Sequence, residues 1–138
     1  MSAGASIETL GHFLTVEPEE CRRLLCDAAI GRVSWSSSVG LVTLPVTYDV
    51  HADGRLGFHV APGGLLAELA AAPVEVAFEV DDIDNETRTG WSVLVRGTAD
   101  AWQGDPPEPP GRAWAPGRRD LMLQITPHAY SGRSVSAD

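Results

Sequence analysis

The sequence predicts a mainly β fold of mixed α+β type: an antiparallel β-barrel with an N-terminal helix and a short mid-chain helix. Three observations predict it. From Gly31 onward apolar residues recur mostly at period two, short turns rich in Gly, Pro and Asp separate those stretches, and only two segments carry helical character. At 138 residues the chain has room for one domain, with a core that needs no disulfide staples. Residues 1–15 read as a loose lead-in whose Ile7, Leu10, Phe13 and Leu14 pack at its end, and residues 16–138 as the domain.

The first element is a helix. Pro18 suits a first helical position, and Glu17, Glu19 and Glu20 favour the positive end of the helix dipole. Cys21, Leu24, Leu25 and Ala28 then form an apolar stripe at helical spacing, and Gly31 supplies the stop. Cys21 and Cys26 match neither a redox CxxC pair nor a zinc site and read as small buried hydrophobes.

A meander follows. Arg32–Ser36 alternates, Ser37–Gly40 turns, and Leu41–Val50 is one long β-rich run that Pro45 marks as an edge or a bulge. Ala52-Asp53-Gly54 is a hairpin turn before the strand Arg55–Val60. Leu65–Ala71 is a short helix of strong formers that ends before Pro73. Val74–Val80 is a strand with Val74, Val76, Phe78 and Val80 on one face, and Asp81–Glu86 reads as a solvated acidic loop without the pattern of a calcium site. Gly90–Asp100 is a strand, residues 103–118 are too rich in Pro and Gly for regular structure, and Leu121–Ile125 is a last strand that Tyr130–Val135 extends.

Composition removes several function classes. The net charge of −9 disfavours nucleic acid as a partner. All ten cations are arginine, so chemistry that needs a lysine amine is excluded. No apolar run is long enough for a membrane-spanning helix and the N-terminus lacks the pattern of a signal peptide, which makes the cytoplasm the default compartment. There is no GxSxG, no HExxH and no glycine-rich dinucleotide fingerprint, and His12, His51, His59 and His128 lack metal-ligand spacing.

The order of segments carries a resemblance. EECRRLL, GRVSWSS, LVTLPVTYDV, GRLGFHVAPGG, VEVAFEVDDID, GWSVLVRGTADAW and WAPGRRDLMLQITP follow one another from about Val16 to Val135. In that order they resemble the pyridoxamine 5′-phosphate oxidase-like, FMN-binding split β-barrel family, in its nitroimidazole-reductase-like branch. The resemblance implies a homodimer with FMN in a cleft between two barrels, or a deazaflavin in its place, and hydride or electron transfer to a small molecule. The alternative it leaves is a non-catalytic barrel that carries a flavin or another ligand.

The resemblance places the cofactor against Leu44, Pro45, Val46, Thr47 and Tyr48, along His59, Val60, Ala61, Gly63, Gly64 and Leu65, and near Trp91, Ser92, Trp114 and Arg133. Each has a plainer reading as well. Pro45 marks an edge strand or frees backbone groups for a flavin ring; Tyr48 and Trp91 are core aromatics or ring walls; His59 is structural or the polar group nearest the ligand. One departure stands out. Where the family carries a hydroxyl and then a cation for the FMN phosphate, this chain has Gly64 and Leu65. Backbone N–H groups of Gly63, Gly64 and the following helix remain as an anion nest, with Arg133, Arg96 and Arg88 as compensating cations. The departure implies weakened FMN binding, another ligand, or none. No catalytic residue is assigned.

Overall fold

The computed structural model describes residues 12–105 and 121–136. Its strands are β1 (His12–Val16), β2 (Ile30–Ser37), β3 (Gly40–Thr47), β4 (Asp49–Val50), β5 (Leu56–Val60), β6 (Val74–Asp84), β7 (Thr89–Ala101) and β8 (Leu121–Ser136). Helix α1 (Pro18–Asp27) follows β1, and a 3₁₀ helix (Leu65–Ala70) precedes β6.

All strands join one antiparallel sheet in the order β3-β2-β6-β7-β8-β5-β4, with β1 also paired to β8. The sheet curls on itself as a split β-barrel. The long strand β8 is its spine: residues 121–125 pair with β5, residues 132–136 with β1, and almost its whole length with β7. The period-two pattern then fills the inside. Val33 and Trp35 of β2, Val76, Phe78 and Val80 of β6, Val93 and Val95 of β7, and Leu123 and Ile125 of β8 are buried in one cluster.

Helix α1 closes the barrel with Cys21, Leu24 and Leu25. It approaches β8 closely at Gly132, where an added Cβ would stand 2.8 Å from the Cys21 sulfur. Only a residue without a side chain lets the helix lie that near the sheet. Among the described residues no helix is long and apolar enough to cross a membrane.

Several local expectations change. The lead-in ends in a strand, because residues 12–16 add to the edge of β8. Cys26 is exposed, since it sits about 140° round the helix from Cys21, off the buried stripe. The helix stops at Asp27, and Gly31 lies inside β2. The run 41–50 is two strands at opposite ends of the sheet order, separated at Tyr48. The acidic segment is no loop up to Asp84: Asp81–Asp84 continue β6, paired with Thr89–Ser92, and only Asn85–Arg88 turn. The mid-chain helix is 3₁₀ and six residues long.

Candidate functional site

Strand β3 has β2 on one side only, so the other side of its backbone is an open edge. That position explains why Pro45, which lacks an N–H, is tolerated there, directly opposite Arg32. Pro45 is exposed and Thr47 and Leu44 are half-buried, while Val46 points into the core. Tyr48 is also committed to the interior. Its ring meets Phe78 edge-on with centroids 4.9 Å apart, and its hydroxyl donates to the Leu25 carbonyl at 2.5 Å. Burial pushes its phenol well above the usual tyrosine range.

Register across the sheet shows which residues share its outer face. One row runs Pro45, Arg32, Glu79, Leu94, Ser131, and the next runs Asp81, Ser92, Arg133, Thr15. Arg32 donates to Glu79 at 3.2 Å and reaches Asp81 at 2.9 Å, which anchors it in the middle of this face. Ser92 and exposed Arg133 are direct cross-strand partners. Pro45, Ser92 and Arg133 therefore share a face, but β3 and β7 are three strand spacings apart, about 14 Å. Arg96 is exposed on the same side of β7, and Arg88 sits in the β6–β7 turn with a φ of 56°.

Trp91 faces the other way. It lines a cleft of about 820 Å³ between α1 and the ends of β6, β7 and β8, together with the carboxylates of Glu20, Asp27, Asp82 and Asp84. The cation in that wall, Arg23, is engaged by Glu20 and Asp27. An anionic group would meet mainly negative charge here.

The third group of residues runs along β5. Val60 is buried and His59 half-buried; the His59 Nδ1 and the His51 Nε2 are buried without a hydrogen-bond partner. Burial lowers the pKa of His59, opposed by the charge of Asp49 and assisted by His51. Ala61 to Gly64 then form a tight turn, with Gly64 N–H donating to the Ala61 carbonyl at 3.2 Å. Leu65 opens the 3₁₀ helix, and the Ala67 N–H bonds to the Gly64 carbonyl. Gly63 and Gly64 are exposed.

Sequence reasoning missed a group that ties the helix after this loop to β2 and the β2–β3 turn. Glu68, on the 3₁₀ helix, accepts hydrogen bonds from Trp35 Nε1 at 3.0 Å, Ser38 N–H at 3.0 Å and Ser38 Oγ at 2.7 Å. Ser38 and Trp35 hold its carboxyl below the ordinary glutamate range, so the group is ionised at neutral pH. A sequence offers no signal for contacts spanning 30 and 33 residues. Tested against an FMN phosphate, the loop does not fit. It has no cation, one of its N–H groups closes the turn, and a fixed carboxylate stands on the next turn of backbone. Trp114 lies outside the described residues.

Comparison with known proteins accounts for this architecture. The model of the family described as pyridoxamine 5′-phosphate oxidase matches residues 17–134. The chain belongs to that family. An uncharacterised protein of Mycobacterium tuberculosis is 30% identical over 146 residues, covering 99% of this chain and 95% of that protein. A FAD-binding protein from Mycobacterium smegmatis superposes with a TM-score of 0.70 at 26% identity, over 89% of this chain and 98% of its own. A FAD-binding protein from Mesorhizobium loti superposes at 0.69 with 23% identity, over 91% of this chain and 98% of its own, a likeness of fold. The split barrel with its helix-capped end is thus the family's frame. The loop after β5, residues 61–65, carries no cation.

Proposed function

We propose that this pyridoxamine 5′-phosphate oxidase family member binds a flavin in a seam between two copies of itself and acts as a flavin-dependent oxidoreductase on a small molecule. The observation that carries the reading is the match of the family over residues 17–134, joined to 26% identity with the FAD-binding protein of M. smegmatis. The open edge of β3 beside Pro45 offers backbone donors and acceptors suited to the polar rim of an isoalloxazine ring. The flavin supplies the redox chemistry, and the chain supplies binding and orientation. FMN is the form the sequence resemblance implies; the FAD-binding relatives make FAD its rival.

One observation favours a second reading, a flavin carrier without turnover. The residues that would grip an FMN phosphate are absent from the loop after β5, as expected for a site that has lost its original duty. Two experiments decide. Protein purified as expressed, or titrated with FMN and FAD, should be yellow or quench flavin fluorescence; a colourless protein that quenches neither flavin defeats both readings. Reduced, flavin-loaded protein mixed with nitroaromatic compounds should then re-oxidise faster than free flavin. Equal rates would leave the carrier.

A further inference from the structure

We infer that this chain holds its flavin without reading the terminal phosphate, so that riboflavin and FMN are equivalent ligands. The inference rests on the flavin reading above and specifies which part of the molecule is recognised. Three observations carry it.

The first is the loop itself. Backbone N–H groups attract an anion when several point outward together, usually at the start of a long helix. Here Gly64 N–H is turned inward to Ala61, Ala67 N–H is turned to Gly64, and the helix that follows is a 3₁₀ segment of six residues. No side-chain hydroxyl or cation in residues 61–65 supplements the backbone N–H groups that remain.

The second is charge. Glu68 stands on that same short helix, ionised and immobilised by Trp35 and Ser38. Its carboxylate, four residues beyond Gly64 and held by three hydrogen bonds, puts a fixed negative charge on the helix that follows the loop. No lysine exists anywhere in the chain to offset it.

The third is the placement of the arginines among the described residues. Arg23 is held by Glu20 and Asp27, Arg32 by Glu79 and Asp81, and Arg55 by Asp53 and Gln124. Arg22 lies over the Tyr130 ring. Arg88, in the turn after the end of β6 that lies away from the loop, and Arg96 and Arg133 belong to the far part of the sheet. Val60, which leads into the loop, pairs with Leu121, whereas Arg133 is twelve residues further along β8, about 40 Å of strand. None of these approaches the loop from within the same copy.

Equilibrium titrations of the full chain with riboflavin and with FMN, read by flavin fluorescence, test this. The expected dissociation constants agree within about threefold, because a charge-assisted phosphate contact would separate them by roughly 10- to 150-fold. The FMN value should also stay put when inorganic phosphate is added. FMN binding tenfold or more tighter than riboflavin, or weakened by inorganic phosphate, overturns the inference while leaving the flavin reading intact. Binding of neither flavin overturns the flavin reading, and this inference with it.

Discussion

The Tyr48 hydroxyl donates to the main-chain carbonyl of Leu25 at 2.5 Å, joining the residue after β3 to the last turn of α1. Carbonyls in the last turn of a helix have no partner within the helix, so this side chain completes one of them in a buried setting. Tyr48→Phe removes the donor and leaves the carbonyl without a replacement. The expected loss is about 1–2 kcal/mol, seen as a melting temperature several degrees lower. Flavin affinity should not change, because the ring packs on Phe78 rather than facing the outside. A variant that melts like the parent but binds flavin more weakly would return Tyr48 to the ligand wall.

Among the described residues Gln124 is the one buried polar side chain, only 4% exposed, and each end of its amide is engaged. Its Oε1 accepts from Arg55 Nη1 at 2.7 Å and from Gln103 N–H at 3.1 Å, and its Nε2 donates to Asp100 at 2.8 Å. Arg55 in turn stacks 3.9 Å above the Trp102 ring. Gln124→Leu keeps the volume but takes one partner each from Arg55, which keeps Asp53, and Asp100, which keeps Gln103, and removes the acceptor of the Gln103 N–H. A loss of about 1–3 kcal/mol is expected in urea unfolding, with the slope unchanged. A neutral result would mean that water replaces the amide without cost.

The alternating core was legible because it is written locally. Val76, Phe78 and Val80, or Val93 and Val95, announce their face by period two alone, and the structure buries each of them. What was not legible depends on distant partners. Asp81–Asp84 look like a loop by composition, yet they extend β6 because β7 pairs with them and Arg32 of β2 meets Asp81. The run 41–50 reads as one strand, but the Tyr48 N–H bonds to the Ala29 carbonyl and its side chain dives under α1, so the chain leaves the sheet and rejoins it beside β5. In the candidate site, Pro45 was readable as an edge residue. Glu68 was not, because its role exists only once Trp35 and Ser38 have been folded against it.

His59 gives the fold a dependence on pH with a defined sign. Burial pushes its pKa below the ordinary value of 6.5, with Asp49 opposing and His51 assisting. An unfolded chain therefore takes up a proton at a higher pH than the folded one. The contribution of this residue is intact above about pH 6.5 and is lost as pH falls through the lower, folded pKa. Urea midpoints measured from about pH 8 down to about pH 5 should decline more steeply for the parent than for His59→Gln. Parallel curves would assign the decline to other groups.

The loop after β5 allows the reverse engineering of phosphate recognition. Gly64 is exposed, and an added Cβ there has its nearest neighbour at 3.7 Å, an ordinary contact; Leu65 is half-buried against the core, where a lysine can lay its stem and turn its amine outward. Gly64→Ser with Leu65→Lys supplies a hydroxyl donor and a cation while leaving the β3 edge untouched. FMN should then bind roughly tenfold or more tightly than to the parent, the range for one charge-assisted contact, and riboflavin should bind as before. Opposition from Glu68 would hold the gain near the lower end of that range, and adding Glu68→Gln should raise it further for FMN alone. The comparison of the two flavins separates a local phosphate contact from a general change in the fold, which would move both affinities together. If neither affinity changes, the ribityl chain does not lead to this loop, and the ring must lie on the sheet face in a different orientation from the one proposed.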